Sequence, residues 1–282
     1  MKSFVFIATV LLAQAAGPLA GAGETWGGEA GRDKGGWVAD HAATETWDQA
    51  IASLDPSKAI IPMDDASIVI EVNATDRDAG FQIFLDSAGW RDVRVFSPNG
   101  RAVYRAVTWG GLRRIGGGTE LYLESEEPEY GSLDELAELV GLMPAGEYRY
   151  LATLTNGDYA IGRAVLSHIL PAGPKLVSPL PLPSQRCAGV SRGLASIDWE
   201  PVSEPIPIPG PGLPRELNIV AYQVVVEDEQ AGLGISMTVD PRMTSVTLPV
   251  ELLRARTEYG FEIIAIEAGG NRTITESCFI TE

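Results

Sequence analysis

The stretch Leu253-Arg254-Ala255-Arg256-Thr257-Glu258-Tyr259-Gly260-Phe261-Glu262-Ile263-Ile264-Ala265 decides the fold of the C-terminal part of the chain. Tyr259, Phe261, Ile263 and Ala265 recur at every second position, which places all four on one face of a β-strand. A face so uniformly apolar is a buried one. Downstream, Gly269-Gly270-Asn271 is a turn signal, and residues 272–280 read as a returning strand. Upstream, three more strands fit the same pattern: residues 219–224, residues 194–202 with Trp199 and Pro201, and residues 174–179.

Taken together, residues 173–282 resemble a fibronectin type III module. Pro174-Lys175-Leu176-Val177-Ser178-Pro179 is similar to its first strand, and Trp199 stands where its second strand carries a core tryptophan. Tyr222 falls in the third strand. Leu253-x-x-x-Thr257-x-Tyr259-x-Phe261-x-Ile263-x-Ala265 resembles the tyrosine corner that leads into the sixth. The resemblance implies a seven-stranded Greek-key sandwich of about a hundred residues, with Trp199, Tyr222, Leu253 and Tyr259 in its core. Two segments depart from the pattern: 204–217 is longer and richer in proline than usual, and 180–192 is also long. With Tyr222 and Tyr259 facing inward, Val225, Ile264 and Ile266 face outward. Adjacent apolar residues on an outer face form a candidate contact surface, for the upstream domain or for a separate partner.

Cys187 and Cys278 are the only cysteines. In an oxidising compartment two lone cysteines tend to pair, and a bridge closing so long a loop stabilises by about 4–5 kcal/mol in the chain-entropy model. The fibronectin-like arrangement brings both to the same end of the sandwich.

The N-terminal part reads differently. Residues 1–22 have the form of a signal peptide: Lys2, an apolar run over 4–13, then small residues at Ala13-Gln14-Ala15 and Ala20-Gly21-Ala22. Residues 23–58 form a glycine-rich arm holding Trp26, Trp37 and His41. The two tryptophans are either anchors for a partner or fold back onto the body. Near the end of the arm Trp47, Ile51 and Leu54 share one face of a short docking helix. Residues 59–172 alternate with period two in several short runs, separated by turns such as Ser97-Pro98-Asn99-Gly100 and Thr155-Asn156-Gly157-Asp158. One helix interrupts them, with Ser132 and Glu135 as a capping box and Leu133, Leu136 and Val140 as its apolar stripe. The expectation is an all-β chain of two consecutive β-sandwich domains, 59–172 and 173–282, with one short helix in the first. Pro171-Ala172-Gly173-Pro174 marks the joint.

With 21 Lys+Arg against 38 Asp+Glu, the chain has a formal net charge of −17. That balance argues against nucleic acid and anionic membrane, which are bound through basic patches. It permits basic partners and divalent cations, or simply keeps an exported protein soluble. Only His41 and His168 are present, the latter expected as an ordinary strand residue, and no nucleophile, phosphate-loop or zinc-protease motif occurs. The chain therefore reads as non-catalytic. The acids suggest calcium: Glu71, Asn73, Asp76 and Asp78 crowd one strand-to-loop segment, and Glu124, Glu126 and Glu127 follow another strand. Calcium takes six to eight oxygen ligands, which loops at one end of a sandwich can supply. The leading expectation is a bacterial periplasmic or secreted binding or scaffolding protein, engaging protein or glycan at the cell envelope without membrane insertion. The alternative is a carbohydrate-active accessory protein or hydrolase using the acidic loops.

Overall fold

The computed structural model describes residues 45–209, 216–228 and 230–282. The expected signal peptide, and Trp26, Trp37 and His41 of the arm, lie outside the described residues.

Helix α1 (Trp47–Ala52) opens with a reciprocal cap: the Thr46 side chain accepts the Gln49 N–H, and the Gln49 side chain accepts the Thr46 N–H. Trp47, Ile51 and Leu54 lie on Phe96 and Leu151, with the Trp47 and Phe96 rings edge-on at 5.5 Å. Strands β1 (Ile60–Pro62), β2 (Asp65–Asn73), β3 (Asp78–Phe96) and β4 (Ala102–Val107) follow. After them come α2 (Gly110–Arg114), β5 (Gly118–Glu124), α3 (Leu133–Gly141), β6 (Gly146–Leu154) and β7 (Tyr159–Leu166).

The alternating runs around Phe81, Ile83 and Leu85 and around Val93, Val95 and Phe96 belong to one strand: β3 runs for 19 residues with register shifts on either side of Trp90. Its first half pairs with β2 and β5, its second with β4 and β6. A single bent strand thus belongs to both layers of the first sandwich, which is how strands turn sandwich corners. Phe81, Ile83, Leu85, Val93 and Val95 all face the core that Ile68, Ile70 and Val72 of β2 share. Each such side chain removed from water contributes roughly 1.5–3 kcal/mol. In α3 the Ser132 hydroxyl accepts the Glu135 N–H, but the Glu135 carboxylate accepts the Gly131 N–H rather than that of Ser132. Leu136 and Val140 are buried while Leu133 stays at the surface. His168 lies just beyond β7, its Nε2 2.9 Å from the Met143 carbonyl oxygen, so the strand ends two residues short of it.

The second sandwich comprises β8 (Lys175–Ser178), β9 (Ala188–Val190), β10 (Ser196–Glu200), β11 (Ile219–Asp228), β12 (Leu233–Val239), β13 (Ser245–Thr247), β14 (Glu258–Glu267) and β15 (Arg272–Thr281). One layer is β8-β10-β13; the other runs β15-β14-β11-β12, with β9 against β15. This strand order is the fibronectin type III arrangement. Trp199 on one layer meets Tyr222 on the other edge-on, ring centroids 5.3 Å apart. The Tyr259 hydroxyl accepts the Arg254 N–H at 2.7 Å, closing the tyrosine corner over buried Leu253. Cys187 and Cys278 form a disulfide, which ties the long 180–192 segment to β15.

The two sandwiches share more than a joint. β2 and β15 pair in parallel, Arg272 opposite Glu71 and Ile274 opposite Asn73, so one sheet continues across. The proline-rich segment after β10 reaches back: the Ile206 N–H donates to the Leu170 carbonyl, and Ile206 and Ile208 pack against the first core.

Candidate functional site

The β2–β15 seam carries a carboxylate cluster. Alternation along β2 sends Ile70 and Val72 into the core, so Glu71 faces the opposite side of the sheet. Register then places Gly80 of β3 beside Glu71 and Arg272 of β15 on its other flank. Segment 125–129, after β5, folds over Gly80: the Phe81 N–H donates to the Ser125 hydroxyl, and a Cβ on residue 80 would sit 2.8 Å from the Glu127 Cγ. Gly80 is required for that close approach. As a result Glu71, Glu124 and Glu127 each bring a carboxylate oxygen within 4.8 Å of the other two.

The electrostatics of this cluster are unfavourable. Glu71 is 5 % exposed; burial pushes its carboxyl above the ordinary range, Arg272 opposes that, and Glu124 and Asp78 reinforce it. Glu127 is pushed up to about 7 by partial burial, then by Glu71, Glu124, Asp78 and Glu276. Glu262 on β14 is also pushed up to about 7, by burial and then by Glu276, Glu71, Glu227 and Glu127. Arg272 answers weakly, its Nε 3.8 Å from Glu71 Oε2, and neither atom makes a hydrogen bond.

Of the seven expected cation ligands, the structure gathers Glu71, Glu124 and Glu127, with Asp78 near enough to raise two of them. Asn73 instead builds the turn after β2: its Oδ1 accepts the Thr75 and Asp76 N–H groups, and its Nδ2 donates to Glu276. Asp76 acts on Asp78 from that turn, and Glu126 is a surface residue outside the trio. Sequence reading missed Glu262 and Glu276, because only the parallel pairing of β15 with β2 brings them to this face.

The expected contact surface is not open, which removes its reading as a face for a separate partner. Val225 and Ile264 are 7 % and 1 % exposed, and with Ile274 and partly buried Ile266 they form a small cluster of their own. Lateral neighbours on β11, β14 and β15 cover one another, and β15 is not an edge because β2 continues the sheet. This patch is buried structure rather than open surface.

Exposed apolar surface lies elsewhere. Trp109, Leu112 and Ile115 are 72 %, 50 % and 83 % exposed around α2, with Arg113 and Arg114 between them. The loop is held rather than loose. The Ile115 N–H donates to Gly111 and the Gly117 N–H to Leu112. Gly117 has φ +82°, and a Cβ there would lie 2.1 Å from the Trp90 carbonyl oxygen. The sequence signal was present in Trp109-Gly110-Gly111-Leu112-Arg113-Arg114-Ile115-Gly116-Gly117-Gly118: large apolar residues bracketed by glycines that deny them a strand or a long helix to pack in. Among the described residues, no helix is long and apolar enough to cross a membrane.

No family model and no curated protein matches the chain. Solved structures similar to it include a tetra-tandem repeat in the extending region of a large adhesion protein, at 10% identity and TM-score 0.27, covering 77% of this chain and 50% of that one. The FN1–FN3 domains of chicken CNTN1 align at 11% identity and TM-score 0.32, over 80% and 66% of the two chains. A two-domain fibronectin type III segment of chicken tenascin aligns at 14% identity and TM-score 0.27, over 77% and 100%. The chain spans half the length of the adhesion-protein structure. Likenesses this loose carry no argument, so the fibronectin type III assignment rests on the strand order and the Tyr259 corner.

Proposed function

We propose that this is an exported, non-catalytic binding and scaffolding protein that engages a protein or glycan at the cell envelope through the loop around α2. The observation that carries the reading is the exposure of Trp109, Leu112 and Ile115 on a loop held by its own backbone hydrogen bonds. Tryptophan and arginine dominate binding hot spots, and a loop already fixed in shape loses little entropy on association. Basic Arg113 and Arg114 stand out on a chain of net charge −17, which favours a partner with an acidic rim around an apolar pocket. The signal-peptide pattern of residues 1–22 supports export, and the Cys187–Cys278 bridge suits an oxidising compartment, periplasmic or secreted.

The test is a pull-down from native envelopes with the parent chain and a Trp109→Ala/Ile115→Lys variant, repeated after protease or glycosidase treatment of the envelope. The variant is expected to melt like the parent and to lose the captured species. The treatment that abolishes capture identifies protein or glycan. Equal capture by parent and variant rejects the loop as the binding surface.

A further inference from the structure

We infer that the partner of the α2 loop is a second copy of this chain: Trp109 of one molecule seats in a pocket beside the Cys187–Cys278 disulfide of the next, building head-to-tail assemblies. The inference rests on the reading of that loop as a binding surface and names what it binds. The pocket is about 360 Å³ in volume and lies at the end of β15. Alternation buries Phe279 and Thr281 in the sandwich and turns Cys278, Ile280 and Glu282 to the other side of the strand. Register sets Ile280 between Gly189 of β9 and Glu258 of β14. Gly189 has no side chain to fill the space beside Ile280, which stays 41 % exposed. Apolar Ile280 and the disulfide-bonded Cys187 therefore line the pocket together with the charged Glu258, Glu282 and Arg186.

Loop and pocket are complementary. The loop offers an exposed indole flanked by Leu112 and Ile115, and residues 109–118 carry Arg113 and Arg114 with no acid among them. The pocket offers apolar surface and two carboxylates against one guanidinium. Among the described residues, Arg113, Arg114 and Glu282 have no ion-pair partner in their own chain. Glu258 is paired with Arg186, but both side chains are solvent-exposed, and a pair of that kind is weak enough to exchange partners. Placement then decides the kind of assembly. From the level where Glu71 meets both Gly80 and Arg272, β3 runs one way to Trp90, which anchors the α2 loop, and β15 runs the other way to the pocket. At about 3.3 Å per residue the two features lie on the order of 50 Å apart, at opposite ends of one continuous sheet. The loop does not reach the pocket of its own chain, so it docks in trans. A two-fold dimer making both contacts would lay two chains of net charge −17 along each other's length. The contact propagates end to end instead, as heterologous contacts between unlike surfaces do.

The test is sedimentation velocity with light scattering on the full purified chain from about 1 μM to about 500 μM, a range that resolves micromolar affinity. The parent is expected to grow in mean mass with concentration, past the dimer. The loop variant Trp109→Ala/Ile115→Lys and the pocket variant Ile280→Lys/Glu282→Lys are each expected to stay monomeric and to melt like the parent. Mixed in equal amounts, the two variants are expected to form a one-to-one dimer and nothing larger, because one keeps a working pocket and the other a working loop. A parent that stays monomeric, a closed dimer that does not grow, growth that persists in either variant, or a mixture that stays monomeric overturns the inference. Capture from envelopes separates it from the reading beneath it. A monomeric parent that still captures an envelope species through Trp109 overturns self-docking and leaves the loop a binding surface. A monomeric parent whose capture is indifferent to the loop substitutions overturns both.

Discussion

The side-chain oxygen of Asn271 accepts the backbone N–H of Ile70 at 2.8 Å, joining the turn before the last strand of one sandwich to the core strand of the other. Its Nδ2 donates to the Ser167 hydroxyl and to the carbonyls of Ser167 and Ile169, each at 3.0 Å. The residue is 1 % exposed, so the Asn271-Arg272-Thr273 sequence is a structural lock rather than a glycan acceptor. Asn271→Ala leaves buried partners unpaired on both sides and is expected to cost about 3 kcal/mol. The denaturant midpoint measures this. A change below about 0.5 kcal/mol, the level of an ordinary surface substitution, contradicts the role.

Tyr259→Phe keeps the ring stacked on Phe279 at 5.3 Å and removes only the acceptor for the Arg254 N–H. The expected loss is about 1–2 kcal/mol. Chemical denaturation is the measurement, and a neutral result shows the corner to be a packing feature alone.

The Cys187–Cys278 bridge spans 91 residues of sequence. Replacing both cysteines with alanine is expected to destabilise by about 4–5 kcal/mol in the chain-entropy account. Unfolding of the parent under reducing and non-reducing conditions measures the same quantity, and equal stability in the two states contradicts it.

Glu262 has a folded-state pKa of about 7 against an ordinary 4.5, set first by burial and then by Glu276, Glu71, Glu227 and Glu127. Between those values the folded chain holds a proton that the unfolded chain has released. Stability from this group is therefore complete below the lower value and declines as pH rises toward the upper one. In EDTA the Tm is expected to fall from about pH 5 to about pH 7.5, with a shallower slope in Glu262→Gln. A parent whose Tm rises over that interval, or a variant with the parent's slope, contradicts the assignment.

Local patterns were legible in the sequence, and long-range pairings were not. Alternation from Tyr259 to Ala265 gave β14 and its buried face, and the Ser132 cap marked the start of α3. Alternation alone does not reveal that the runs Phe81-Ile83-Leu85 and Val93-Val95 belong to one strand that bends between layers. It placed Val225 and Ile264 on the outer face but could not choose between the upstream domain and a separate partner, because the strand that continues the sheet beyond β15 lies about two hundred positions away. The β2–β15 pairing joins segments about two hundred positions apart in parallel, and neither strand's composition announces its partner. The acid cluster follows from that pairing: Glu71 and Glu127 were visible as acids, but their meeting with Glu262 and Glu276 depends on register.

The most direct measurement is differential scanning calorimetry of the full chain with the disulfide intact. A sheet shared through β2 and β15, locked by Asn271, makes the two cores one cooperative unit. The expected result is a single endotherm whose calorimetric and van't Hoff enthalpies agree. Two resolved endotherms, with one core melting while the other persists, would contradict it.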